Sequence, residues 1–296
     1  MRSGFTDPIR SAVQARRGFD GLRVLALESR RAADMRRLIA RSGGIAAVVP
    51  SMREVPRESN AAALAFAQDL EAGVFVAVIF LTGVGTRALV KVIEPVLPRA
   101  RLPAALARTA VIARGPKPAA ALRQLGVTTL NAVPAPHTWR EVLHLLDVRS
   151  AALPIADRRV AVQEYGVSND GLIGGLRARG ALVTPVPVYE WALPEDAAPL
   201  LEAAAALERG DFDVLLFTTS AQVHHLLRVA QEQGIDAGIR RACERLVVAS
   251  IGPSTTETLL EYGLPSDLEP SRSNMGLLVM EAAARSGDLL RRKRAR

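Results

Sequence analysis

Residues 114–127, RGPKPAAALRQLGV, and residues 251–264, IGPSTTETLLEYGL, are one pattern written twice. Gly115 aligns with Gly252, Pro116 with Pro253, Leu122 with Leu259 and Gly126 with Gly263, each pair 137 positions apart. Two more blocks keep the same spacing. VFVAVIFLTGVGTRAL, ending at Leu89, aligns with FDVLLFTTSAQVHHL, ending at Leu226, so Phe80 meets Phe217 and Thr82 meets Thr219. Near the start of each copy Gly43 meets Gly180 and Pro50 meets Pro187. Three blocks with one offset mark an internal repeat. A period this long means two copies of a domain-sized unit rather than a solenoid.

Inside each copy short apolar runs alternate with helical patterns. The first copy reads RVLAL, helix 32–42, IAAVV, helix 60–72, VAVIFL, helix 84–94, TAVIA, helix 116–125, VTTLNAV, helix 138–147. The second reads RVAVQ, helix 170–179, ALVTPVPV, helix 196–209, VLLF, helix 220–233, LVVASI, helix 254–262 and a last helix over 275–285. Continuous Val/Ile/Leu runs joined through helices predict a parallel sheet covered on both faces. The expected fold is α/β, with two similar flavodoxin-like, doubly wound lobes. Ligands bind such sheets beyond the carboxyl ends of the strands, so the site is expected in a cleft between the lobes.

The 296 residues are 49% hydrophobic and 23% charged, with 4% aromatics, so the core is aliphatic. The one cysteine, Cys243, rules out an internal disulfide framework and suits a reducing cytoplasm; it reads as a buried, inert thiol. No apolar run reaches membrane-span length, and the N-terminus lacks a signal-peptide core. Of the net charge of +8, five charges sit in RRKRAR at the C-terminus, leaving +3 for the rest. Residues 1–19 and 287–296 are read as flexible basic termini, and the tail as a solvated end rather than a nucleic-acid arm. A mildly basic body favours an anionic small molecule.

Four loops after strands present backbone N–H groups at helix N-termini, three of them with hydroxyls: Leu81–Thr86 with Thr82 and Gly83, Gly115–Pro118, Phe217–Ser220 with Thr219 and Ser220, and Gly252–Thr256 with Ser254 and Thr255. That equipment holds carboxylates or phosphates. The same residues serve equally as N-caps. Neither a GxxxxGK[ST] nor a GxGxxG pattern is present, so no nucleotide is indicated. His137, His144, His224 and His225 have no Cys or carboxylate at ligand spacing, so no metal is expected, and the last two are read as a partly exposed helix face. Tyr189, in PVPVYEW, is placed either to move a proton or simply to pack. Tyr165, in VQEYG, and Arg30, after the first strand, face loops where they would meet a ligand or solvent.

Together DFDVLLFTTSAQV, ASIGPSTTETLLEYGL, the VPVY of 186–189 and EPSRSNMGLLV resemble the uroporphyrinogen-III synthase family, over about residues 22 to 285. ESRR, VQEYG and TGVGTRAL resemble its actinobacterial-type branch, some relatives of which carry a C-terminal DNA-binding domain. The resemblance implies that the lobes exchange segments: 20–50 joins 190–290, while 54–186 forms the other lobe, with two extended linkers between them acting as a hinge. It implies a cyclising lyase that closes hydroxymethylbilane into uroporphyrinogen III, losing water and inverting ring D, in the cytoplasm, as a monomer and without a cofactor. The carried-over residues are Tyr189 for departure of the hydroxyl, and Thr255, Thr82 and Thr219 as hydroxyls of the binding loops. Gly83, Gly115, Tyr165, Ser220, Gly252, Ser254 and Arg30 complete the expected substrate-binding set.

The chain departs from the family pattern. FTSP reads FLTG and FTTS, Pro118 replaces a threonine, and Pro-Arg-Gly reads Glu164-Tyr165-Gly166, which removes an arginine. A non-catalytic tetrapyrrole- or anion-binding regulatory protein of the same fold is the alternative.

Overall fold

The computed structural model describes residues 18–56, 60–164, 166 and 168–295. Its strands are β1 Arg23–Ala26, β2 Ile45–Val48, β3 Arg53–Pro56, β4 Phe75–Phe80, β5 Ala110–Ala113, β6 Asn131–Ala132, β7 Arg159–Glu164, β8 Leu182–Pro187, β9 Tyr189–Ala192, β10 Val214–Phe217 and β11 Val247–Ser250. Its helices are α1 Ala32–Arg41, α2 Ala61–Glu71, α3 Gly83–Ile93, α4 Leu102–Leu106, α5 Pro116–Gln124, α6 Trp139–Val148, α7 Asp170–Ala178, α8 Ala198–Glu208, α9 Ser220–Glu232, α10 Asp236–Arg245, α11 Pro253–Glu261 and α12 Met275–Arg294.

The chain divides into two units. Unit 1 is Met1–Arg53 with Leu193–Arg296, and unit 2 is Glu54–Ala192. The unit 1 sheet runs β11-β10-β1-β2 and the unit 2 sheet β6-β5-β4-β7-β8. Every pairing within these two sheets is parallel. Repeat partners occupy matching places: β11 with β5, β10 with β4, β1 with β7 and β2 with β8. Even the sixth strand has an echo, since Ile112 pairs with Asn131 and their partners 137 residues on, Ala249 and Leu268, form an isolated parallel bridge. Each sheet therefore takes two strands from one copy and the rest from the other.

Both sheets are apolar on two faces. In unit 2, Val78 and Phe80 of β4 face α2 to α5, while Ala77 and Ile79 face α6 and α7. In unit 1, Leu215 and Phe217 of β10 face α8 to α11, while Val214 and Leu216 face α1 and α12. The period-2 alternation of strand side chains sends successive residues to opposite helical layers.

The paired glycines mark helix ends. After α5, Gly126 turns to φ +86°, Gly126 N–H donates to Arg123 O, and Val127 N–H reaches back to Leu122 O at 3.1 Å. After α11, Gly263 turns to φ +68°, with Gly263 N–H on Leu260 O and Leu264 N–H on Leu259 O at 2.8 Å. Both are left-handed closures that an L side chain resists.

Three expectations need correction. Residues 287–294 are not a frayed tail: they finish α12, with Leu290 buried and Ser286 completely so. Lys293 Nζ donates to Asp267 Oδ2 at 2.6 Å and Cys243 O at 2.9 Å, and an Arg294 guanidinium nitrogen donates to Asp213 Oδ1 at 2.7 Å. The charge run hid an amphipathic face whose buried positions Leu278, Ala282, Ser286 and Leu290 recur every four residues. Residues 1–17 of the expected N-terminal arm lie outside the described residues, but Phe19 is fully buried and its N–H donates to Ser42 O. His225 is not on an exposed face: it is 6% exposed, and its Nδ1 lies 2.7 Å from Ser51 O. Helices α4 and α10 were missed, although Ile239, Ala242 and Cys243 bury one side of α10. Cys243 is buried, and loss of solvent pushes its thiol up to about 12.

Candidate functional site

In unit 1 the loops after β1, β10 and β11 gather at the carboxyl edge of the sheet. Thr219 stands at the N-cap of α9, yet its side chain makes no cap bond. Thr218 binds elsewhere. Its hydroxyl donates to Glu28 Oε2 at 2.6 Å and its N–H to Gln222 Oε1 at 2.7 Å. Glu28 also accepts from Arg31 N–H at 3.0 Å. The Ser220 hydroxyl donates to Ser254 O at 3.1 Å, which ties the start of α9 to the start of α11. At α11 the N-cap is Gly252, with extended backbone, whose carbonyl accepts Thr255 N–H and Thr256 N–H at 3.0 Å each. Thr255 is only 3% exposed. The Thr256 hydroxyl is bound to Ser250 and donates to Glu269 Oε2 at 2.7 Å. Arg30 is exposed. Thr219, Ser220, Gly252, Ser254 and Thr255 thus share one edge, and Arg30 follows β1 at that edge.

Unit 2 repeats the plan with other side chains. Thr82 does cap its helix, accepting Gly85 N–H at 2.9 Å, and its carbonyl takes the Thr86 hydroxyl at 2.8 Å. Gly83 is a packing requirement: a Cβ there would come 2.6 Å from Lys117 O, so α3 and α5 start side by side. Gly115 is the N-cap of α5, and a Cβ there would lie 3.4 Å from the His137 ring. The His137 Nδ1 is 2.9 Å from Val133 O. At the end of β7, buried Glu164 accepts the Ser168 hydroxyl at 2.8 Å, and Gln163 Nε2 donates to Glu164 O. Gln163 Oε1 is buried without a partner among the described residues. Tyr165 lies outside the described residues.

Tyr189 opens β9, which pairs with β3. It is half-buried against the unit 2 core, and its carbonyl accepts Gly166 N–H at 3.2 Å. Gly166 has φ +89°, and the Trp191 indole fills the space a side chain there would take. Only glycine lets the loop after β7 lie this close to β9.

Sequence reasoning missed Glu28, Gln222, Gln163 and Arg114. Arg114 follows β5, and burial lowers its pKa. All four lie within the stretches ESRR, FTTSAQV, VQEYG and RGPKP, but only their spatial neighbours reveal what they do. Among the described residues no group of three His, Cys, Asp or Glu could hold a metal ion, and no helix is long and apolar enough to cross a membrane.

Known proteins match this arrangement. A uroporphyrinogen III synthase mutant from Thermus thermophilus superimposes with a TM-score of 0.67 at 24% identity, over 91% of this chain and 100% of that one. The wild-type enzyme of that organism gives 0.55 at 26% identity, over 91% and 99%. An uncharacterized protein of Bacillus subtilis strain 168, YjjA, is 27% identical over 271 residues, 90% of this chain and 97% of its own. The profile described as HEM4, uroporphyrinogen-III synthase HemD, matches residues 33–280, from the first turn of α1 into α12 and so through nearly all the elements of both units. By that span the chain belongs to the uroporphyrinogen-III synthase family.

Proposed function

We propose that the protein is a working uroporphyrinogen-III synthase. It closes the linear tetrapyrrole hydroxymethylbilane, with loss of water and inversion of ring D, for tetrapyrrole biosynthesis in the cytoplasm. The observation that carries this reading is the family match over residues 33–280. The chemistry of the carboxyl edges supports it. The substrate carries eight carboxylates, and these edges offer helix N-termini and hydroxyls to receive them. The free side chain of Thr219 suits that task better than capping.

In this mechanism the Tyr189 phenol donates its proton to the departing hydroxyl as the C–O bond breaks, which releases water and leaves an azafulvene cation. The substituted carbon of ring D attacks that centre to give a spiro intermediate, which fragments and recloses with the ring inverted. Much of this reactivity belongs to the substrate. The residues Thr82, Gly83, Gly115, Tyr165, Thr219, Ser220, Gly252, Ser254, Thr255 and Arg30 hold it curled, so that the spiro route outruns direct closure. The protein works as a monomer and needs no cofactor.

The test feeds freshly made hydroxymethylbilane to the purified protein and separates the oxidised porphyrin isomers. Isomer III is expected, and isomer I alone, the spontaneous product, removes the synthase reading. Tyr189→Phe should lower kcat more than it raises KM.

One observation favours a second reading, a regulatory protein that binds a tetrapyrrole without turning it over. The family's Pro-Arg-Gly reads Glu164-Tyr165-Gly166 here, so the arginine is lost next to buried Glu164, and a carboxylate beside that place opposes an anionic substrate. Uroporphyrin binding combined with isomer I alone would select it.

A further inference from the structure

Arg114 stands on the last rung of the unit 2 sheet. Phe80 pairs with Ala113, and one step on Arg114 N–H donates to Phe80 O at 3.0 Å. The next residue, Gly115, is the N-cap of α5. That helix is a poor anion site by itself, because Pro116 and Pro118 remove two of its first-turn N–H donors and Ala119 N–H is bound to Gly115 O. Charge is present in their place. Lys117 is exposed on α5, Arg87 is exposed on α3, and Gly83 draws the two helix starts together.

Arg114 is half-buried, and among the described residues its guanidinium has no hydrogen-bond or ion-pair partner. Its pKa is lowered by loss of solvent alone, so no carboxylate offsets the cost of burying it. Partly buried arginines are ordinarily paired, since desolvating a lone charge is costly.

The repeat supplies an internal control. Unit 1 builds the same loop with the same helix limits and puts Ile251 at the matching place, with Ser254 for Lys117 and His224 for Arg87. The fold therefore has no need of the cation. The planar guanidinium matches a carboxylate through two parallel hydrogen bonds.

We propose that Arg114 grips a carboxylate of the ligand at the carboxyl edge of the unit 2 sheet, with Lys117 and Arg87 adding to the positive field. This rests on the reading above that the ligand is a polycarboxylated tetrapyrrole.

The experiment titrates uroporphyrin III, with its eight carboxylates, into the full-length protein and its Arg114→Gln and Arg114→Lys variants, at two salt concentrations. Thermal midpoints are measured alongside. Arg114→Gln should raise Kd about ten- to a hundredfold, as loss of one charge-assisted hydrogen bond predicts, and should weaken the salt dependence. Arg114→Lys should recover part of the affinity. The midpoint should stay level or rise, because the side chain holds nothing in the free protein. Unchanged affinity and salt dependence in Arg114→Gln overturn the proposal, as does a midpoint lowered by several degrees. In turnover, Arg114→Gln should raise KM for hydroxymethylbilane and leave kcat and the isomer III fraction nearly as they were. A wild type that makes isomer III with Arg114→Gln indistinguishable from it overturns the Arg114 assignment alone. A wild type that binds uroporphyrin and yields only isomer I overturns the synthase reading alone, and the titration then decides on Arg114.

Discussion

The loops at 114–127 and 251–264 share a backbone and differ in chemistry. Each opens on an N-cap glycine followed by proline, runs nine helical residues and closes on a left-handed glycine with the same reach-back hydrogen bond. In unit 1 the polar groups of this loop are largely used at home: Ser254 O accepts two hydroxyls and the Thr256 hydroxyl answers to Glu269. In unit 2 the loop carries Arg114 and Lys117 instead. The two copies keep what the chain needs in order to fold and differ in the side chains they set at the sheet edge.

The strongest way to break this equivalence is in the cores. Leu89 and Leu226 are repeat partners, both essentially without exposure. Leu89→Ala and Leu226→Ala should each destabilise by about 2–5 kcal/mol, the range for emptying a packed leucine site. Chemical denaturation of the two variants would reveal unequal packing if one cost far less than the other.

A smaller effect separates the loops. Gly83→Ala sets a methyl 2.6 Å from the Lys117 carbonyl, which is backbone and has nowhere to go, so it should cost about 1–3 kcal/mol. Gly252→Ala meets only the Ser273 side chain, whose hydroxyl, the one close contact, can rotate while its Cβ lies at 3.4 Å. Its cost should be clearly the lesser, and equal losses in melting experiments would undo the distinction.

The smallest effect sharpens the contrast between the two threonines. Thr82→Ala removes a real cap and should cost about 1 kcal/mol. Thr219→Ala removes none and should leave stability alone while weakening uroporphyrin binding. A stability loss for Thr219→Ala with unchanged binding would make it a structural residue after all.

The main lines of the fold were legible because they rest on periodicity. Apolar runs such as VLLF and VVAS, the shared offset and the Gly-Pro helix starts are local signals, and Pro116 and Pro253 open α5 and α11 where that pattern places them. What stayed hidden depended on distant partners. RRKR looks solvated until Asp213 and Asp267 are seen beside Arg294 and Lys293. The motifs showed the edge hydroxyls but could not say which were occupied, because the acceptor of the Thr218 hydroxyl, Glu28, is 190 residues away. Nothing in the sequence singles out Arg114, since a sequence does not display the absence of a carboxylate.

The exchange of halves between copies also bears on how the protein is made. Glu54–Ala192 is one uninterrupted stretch, so the strands of its sheet leave the ribosome together and can pair at once. The other sheet joins Arg23 to Asp213 across 190 residues, and β1 and β2 must wait as a bare two-stranded ribbon until β10 arrives. Such long-range closure is slow and leaves apolar edges open in the meantime. Strands β1 and β2 are thus covered only after the middle of the chain has emerged, and the nascent chain is most exposed to misassembly while that middle is already folded.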